Sequence, residues 1–313
     1  MPFSFVNRTE CPACASPERR TLVHRALDEP VMSDLLGSFY GECAAELSGG
    51  DYSVVECLVC LTIYHAQVGG NDLLQTLYDG WLNEGEPDTS ALEWLVGNPR
   101  HSMGGHEIMT AAALIGSPLS ALKTLDFGMG NAHWARIAKG LGCASYGSDL
   151  SLTRMANARA YGVSTIALAE IPGQMFDFIN TEQVMEHVTE TASIMKALAQ
   201  GLRPGGLLKV SVPSQGDIRS PLSRVANGGP AIAKELVASF PLEHVNTFSA
   251  SGLEKLGARF GLHRVEPNFL KRMAFIKNPA NWLLGRPTNT AKEIVRPFIP
   301  YENQRNLTVW FRA

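Results

Sequence analysis

Short apolar segments alternate with stretches of helical spacing from about residue 121 onward. That alternation leaves few architectures open. A strand followed by a crossover helix pairs parallel with the next strand, and a parallel sheet must be covered on both faces. The apolar runs place strands at 122–127, 143–148, 163–168, 175–180, 206–212, 262–269 and 306–313, with helices over 131–140, 151–160, 188–202 and 249–260. The expected fold class is α/β. Upstream, 71–82 and 104–116 carry helical apolar spacing, and 83–90 (NEGEPDTS) reads as a linker or turn.

The first of these strands runs into Leu125-Asp126-Phe127-Gly128-Met129-Gly130-Asn131-Ala132, which precedes a helix. Glycines there let backbone approach a ligand closely, and the carboxyl edge of an α/β sheet is where such folds bind ligands. Asp149 lies 19 residues beyond Gly130, at the end of the next strand, where a carboxylate can accept hydrogen bonds from both hydroxyls of a ribose. A dinucleotide fold would ask for Gly-x-Gly-x-x-Gly, but the third position is His133. Structural roles compete: Gly128 and Gly130 suit a plain tight turn, and Asp149 suits a helix N-cap, which Ser151 could also supply.

With FDFINTEQVMEHV, LRPGGLLKVSVPS and PLEHVNTFSASGLEKLGARFGL downstream, the chain resembles the class I S-adenosylmethionine-dependent methyltransferases over residues 119–270. The resemblance implies a Rossmann-like, seven-stranded, mostly parallel sheet with helices on both faces. It would occupy 119–313, with insertions at 214–248 and 270–305 that shape the acceptor pocket. It further implies that Asp126, Gly128 and Gly130 meet the methionine part of S-adenosylmethionine, that Asp149 holds its ribose, and that Leu150 borders the adenine. Glu170 would meet the adenine edge, or be a plain exposed loop residue, and Asn180-Thr181-Glu182-Gln183 would line the reacting end. Ala132 departs from the many members that have a third glycine there, but alanine is small enough for cofactor binding to survive.

A sulfonium methyl is already activated, so the protein's task is to orient the acceptor and, for a hydroxyl or carbon acid, to remove a proton. Glu186-His187 follows the fourth strand. In the resembling sugar methyltransferases a Glu-His pair here serves as orienting carboxylate and base. That makes His187 the first candidate base, with Glu186 its partner, and His244 the second. The competing roles are a structural pair opening the next helix and a histidine that fixes a loop. Tyr78 and Trp81, in a helical connecting segment at 71–118, either fold over cofactor and acceptor as a lid or pack between the N-terminal module and the core.

Six cysteines include two matched pairs, Cys11-x-x-Cys14 and Cys57-x-x-Cys60. Thiolates at this spacing turn two sulfurs toward one ion, and four of them complete a tetrahedron with no position left for water. The expectation is a structural zinc in a small module over residues 1–70, with Cys43 and Cys143 as small apolar residues. Similar modules precede the catalytic domain in a bacterial subgroup of the family, whose members methylate sugars and other small metabolites.

Charge argues about partners. The formal net charge is −3, against the basic surface of a dedicated nucleic-acid binder. Residues 264–313 hold nine Lys/Arg against three Asp/Glu, which suits either an anionic acceptor or a solvated face. No apolar run approaches the roughly 20 residues of a membrane span, and MPFSFVNRTE lacks a secretory pattern, so a cytoplasmic protein is expected. By the family resemblance, the expected activity is methyl transfer to O or C of a small-molecule acceptor, a sugar (nucleotide-linked sugars included) or a related metabolite. A zinc-containing RNA base methyltransferase is the second reading, weakened because Arg8, Arg19, Arg20 and Arg25 are outnumbered by acids in residues 1–66. A non-catalytic partner-binding module is the third, and the intact glycine turn opposes it. An NAD-dependent oxidoreductase is the fourth, opposed by His133.

Overall fold

The structure, a computed structural model, describes residues 3–41, 46–81, 93, 96–268 and 305–313. The N-terminal part comprises β1 (Phe5–Asn7), β2 (Arg19–Ala26), α1 (Pro30–Tyr40), β3 (Asp51–Cys57), β4 (Ile63–His65), β5 (Gln67–Gly69) and α2 (Asn71–Thr76). Pro30 opens α1, where its fixed φ suits the first turn, and Gly41 at φ 61 ends it. A π-helical turn over Leu77–Trp81 follows α2, so the helix expected at 71–82 is only partly α.

The main body continues with α3 (Met103–Ile115), β6 (Lys123–Phe127), α4 (His133–Gly140), β7 (Ala144–Ser148), α5 (Leu152–Ala160), β8 (Ser164–Thr165), β9 (Phe176–Glu182), α6 (Thr191–Gly201), β10 (Leu202–Pro213), α7 (Arg219–Ala226), α8 (Ala233–Leu236), β11 (Asn246–Thr247), α9 (Ala250–Ala258), β12 (His263–Val265) and β13 (Asn306–Arg312). Seven of the strands form one sheet in the order β12-β13-β10-β9-β6-β7-β8. The five from β10 to β8 are parallel, while β13 runs antiparallel to both β10 and β12. Chain direction across the sheet reverses between β6 and β9, which makes the end of β6 the topological switch point where open α/β sheets bind ligands.

Helices cover both faces. Met195 and Leu198 of α6 and Leu253 and Leu256 of α9 pack with Leu125, Ile179 and Val210 on one side. Ile108 and Ala111 of α3 and Ile137 of α4 pack with Phe178 and Trp310 on the other. Cys143 is a buried member of that second cluster, as expected of a small apolar residue. The strand expected at 163–168 shortens to two residues, because after Ile166 the chain turns into a capped 3-10 turn over Leu168–Glu170.

The 214–248 segment does not stand apart from the N-terminal part. β11 pairs with β4 and extends a four-stranded sheet, β11-β4-β3-β2. Ile218 and Leu222, Leu236 and Phe240 join Val23, Leu36 and Tyr52 in one apolar cluster. The 83–90 linker, Cys43, the Tyr78 side chain and all but the last residue of the 270–305 insertion lie outside the described residues. Among the described residues, no helix is long and apolar enough to cross a membrane.

Candidate active site

The turn after β6 is built from left-handed residues. Gly128 (φ 71), Gly130 (φ 51) and Ala132 (φ 58) alternate with residues of ordinary φ. The amides of Gly128 and Met129 both donate to the Ser148 carbonyl, at 2.8 and 3.1 Å, which ties the turn to the end of β7. A Cβ on Gly128 would come within 2.3 Å of Val184 Cγ2, so only glycine lets the turn approach the loop after β9. A Cβ on Gly130 meets no atom within 4 Å and would project into open space. Ala132 adopts the conformation a third glycine would take, at a cost of about 1 kcal/mol.

Asp149 accepts hydrogen bonds from the amides of Gly130 and Ser151, both at 2.9 Å. Ser151, not Asp149, is the N-cap of α5. An ionised carboxylate has about four lone-pair sites, so two acceptor positions remain for a ligand's hydroxyls. Next to it Leu150 is 91% exposed, an apolar surface beside the turn that a flat heterocycle could cover. Glu170 folds back on its own turn, where its carboxylate accepts from the Ala167 amide at 2.8 Å.

Asp126, one residue before the end of β6, belongs to a buried polar chain. Asn180 Nδ2 donates to Asp126 Oδ1 at 2.9 Å, and Lys209 Nζ donates to Asn180 Oδ1 at 3.2 Å. The same ammonium pairs with Glu182 at 2.5 Å and Glu107 at 2.6 Å. Burial lifts the Asp126 carboxyl to about 7, against the opposing hydrogen bond from Asn180. Burial opposes the Lys209 charge, but Glu107 and Glu182 more than offset it and its pKa is raised. Side chains alternate along β9, so Thr181 points to the opposite face from Asn180, and its buried hydroxyl makes no hydrogen bond. Lys209 and Glu107 escaped the sequence reading, which placed Glu182 at the reacting end but not beside a lysine. The signal available was a lysine inside the apolar run GLLKVSV.

Past β9 the chain enters a loop through Gln183, a non-glycine at φ 54 whose amide donates to the Ser211 carbonyl. Here the structure gathers Glu186, His187 and His244, with one ligand-type atom from each lying within 4.8 Å of the others. Glu186 is 1% exposed and neither carboxylate oxygen has a hydrogen-bond partner. His187 Nε2 stands 3.9 Å from Glu186 Oε1, and the His187 and His244 rings meet edge to face at 4.6 Å. Burial lifts Glu186 to about 8. Burial and the neighbouring His244 pull His187 down to about 4, and burial lowers His244 as well.

A residue from each of two distant segments sets this loop. Asn246 donates from Nδ2 to the carbonyls of Met185 (3.0 Å) and Val188 (2.6 Å), and from its amide to that of Glu186. Arg8 in turn donates to Asn246 Oδ1 at 2.7 Å and to the carbonyls of His65 and Val245. Sequence reading weighed Arg8 only as surface charge. Trp81 packs against Phe3 and Tyr40, with ring centroids 5.6 and 5.8 Å apart, both of them within residues 1–70.

The four cysteines of the matched pairs also converge. Their sulfurs all lie within 4.8 Å of one another, with Cys11–Cys60 at 3.6 Å and Cys14–Cys57 at 3.5 Å. Zn–S bonds of 2.3 Å in a tetrahedron put sulfurs about 3.8 Å apart, so the donor set fits the ion. The two turns match in backbone too: Ala15 (φ 59) and Leu61 (φ 63), each following a second cysteine, are both left-handed. The cluster is anchored to the main body by Thr191 Oγ1 donating to the Pro12 carbonyl and Arg259 Nη1 to that of Ala13.

Comparison with known proteins agrees with this geometry. The profile of a family described as a methyltransferase domain matches residues 88–266. The chain belongs to that methyltransferase family, and its sheet order and glycine turn are of the class I, S-adenosylmethionine-dependent kind. Among curated relatives, the ubiquinone biosynthesis O-methyltransferase of Chelativorans sp. (strain BNC1) is 33% identical over 104 residues, covering 30% of this chain and 41% of that protein. That of Brucella melitensis biotype 2 is 30% identical over 105 residues, covering 30% and 42%. The chain thus spans about two fifths of the length of these relatives. Solved structures include an S-adenosylmethionine-dependent methyltransferase from Mesorhizobium loti (19% identity, 63% of this chain and 93% of that one, TM-score 0.41). Another is the magnesium protoporphyrin IX methyltransferase of Synechocystis PCC 6803 with bound SAH (14% identity, 72% and 80%, TM-score 0.40).

Proposed function

We propose that this protein transfers a methyl group from S-adenosylmethionine to an oxygen or carbon of a small-molecule acceptor, with a sugar or related metabolite as the leading class. The observation that carries the reading is the contact between the glycine turn and the loop bearing Glu186 and His187, made where Val184 packs against Gly128. The cofactor would lie over Gly130, with its ribose on Asp149, its adenine on Leu150 and its methionine end toward Asp126 and Asn180. When bound, it supplies a sulfonium methyl open to in-line attack. The turn orients that methyl, and the Glu186–His187–His244 cluster handles the acceptor's proton. Relatives named O-methyltransferases support a hydroxyl as the acceptor. Cys11, Cys14, Cys57 and Cys60 hold a structural zinc, which fixes the segment carrying Arg8 and, through Asn246, the loop at 185–188.

The test is incubation with methyl-labelled S-adenosylmethionine and a panel of nucleotide-linked sugars, free sugars and phenols, followed by mass spectrometry. Label on a panel member, lost in Asp149→Ala, supports the reading. Failure of the protein to bind the cofactor would overturn it.

A further inference from the structure

We propose that Glu186, His187 and His244 bind one divalent first-row transition cation, whose remaining coordination positions take oxygens of the acceptor. This rests on the reading of the cluster as the acceptor end of the site, and it names how that cluster handles the proton.

Three observations converge. One donor atom from each side chain lies within 4.8 Å of the other two, and two imidazoles with one carboxylate form a donor set suited to Mn²⁺, Fe²⁺, Co²⁺ or Zn²⁺. Bonds of about 2.1 Å place neighbouring ligand atoms about 3.0–3.4 Å apart, so the 3.9 Å between His187 Nε2 and Glu186 Oε1 needs a contraction of under ~1 Å.

The His244 ring is already held from behind, where Nδ1 bonds to the Val237 carbonyl. Metal-bound histidines use this arrangement, because a carbonyl that accepts one ring N–H fixes the tautomer and aims the other nitrogen. For His244, that leaves Nε2 as the donor toward the cluster.

Glu186 supplies the third observation. Its carboxylate is sealed from solvent and neither oxygen accepts a hydrogen bond. A buried carboxylate without a donor is costly, and a cation resolves the cost. The Glu243 carboxylate, next in sequence to His244, is engaged by the Tyr40 hydroxyl at 2.5 Å and is not part of the set. An acceptor hydroxyl on such a cation becomes far more acidic, so its proton can pass to solvent while both imidazoles remain ligands.

Mn²⁺ is the probe, because a four-thiolate site favours softer ions and keeps its zinc. The zinc-loaded full-length chain is titrated with Mn²⁺ and free ion is read by electron paramagnetic resonance, without cofactor or acceptor. The expected result is one Mn²⁺ per chain, with affinity lowered roughly tenfold or more in Glu186→Gln and in His244→Ala at unchanged zinc content and circular dichroism. The His244 ring is only half-buried, so that variant carries the test if Glu186→Gln does not fold. No binding by the wild type, or binding undiminished in the folded variants, overturns the proposal. Methyl transfer is measured separately: Mn²⁺ binding without any transfer would sink the functional reading and leave the cation site standing.

Discussion

Replacing Asp126 by Asn should stabilise the cofactor-free protein while weakening its hold on the cofactor. Asp126 is 4% exposed, and its carboxyl moves from 3.8 in the free side chain to about 7 in the fold. Between those values the unfolded chain has released the proton and the folded chain still holds it. Rising pH in that window therefore favours unfolding, by about 1.4 kcal/mol per unit, until the effect levels off above 7. The penalty reaches about 4 kcal/mol at pH 8 as an upper value, and is nearer ~1.5 kcal/mol at pH 5. Asparagine keeps an acceptor for Asn180 Nδ2 and cannot ionise, so the variant escapes the penalty. Urea unfolding of both proteins at pH 5 and pH 8 reads the difference: the variant's advantage should grow by about 2–3 kcal/mol at the higher pH. An advantage that does not change with pH would refute the burial argument. A variant less stable than wild type at pH 8 would do the same.

Three further outcomes follow from single interactions. Asp149→Ala removes the acceptor of two amides and the proposed ribose partner, so S-adenosylmethionine affinity measured by calorimetry should fall by about 1–3 kcal/mol; unchanged affinity would show that the carboxylate does not touch the ligand. Ala132→Gly relieves a left-handed alanine and should raise stability by about 0.5–1 kcal/mol in denaturant titration, with cofactor binding retained; a loss of stability would mean the turn tolerates alanine without strain. Chelation of zinc should raise amide exchange in residues 11–26 and 51–65 and also at 245–248, because Asn246 and Thr247 pair with Tyr64 and Ile63; exchange that rises in the first two segments alone would separate β11 from the module.

Much of the sheet was legible because its central strands β6, β9 and β10 are largely buried on both faces and therefore mostly apolar, and the Gly128–Ala132 turn announces itself by position between strand and helix. What stayed hidden was long-range. Strand β11 is two residues long and has no pattern of its own; its partner is about 180 residues earlier in the chain. His187 and His244 were each singled out as a base, but only the fold brings them together, by way of Asn246 and Arg8. Lys209 reads as an oddity in an apolar strand until Glu107, from a helix that precedes the whole sheet, is found beside it. Thr181 and Asn180 are neighbours in sequence, and the two-residue period of a strand sends them to opposite faces.

The most direct test of the account is a crystal structure with S-adenosylhomocysteine bound. It should show the ligand lying over Gly130 with its ribose hydroxyls about 2.6–3.2 Å from the Asp149 carboxylate. Ligand density elsewhere, with Asp149 bonded only to the amides of Gly130 and Ser151 and the space above the turn empty, would contradict it.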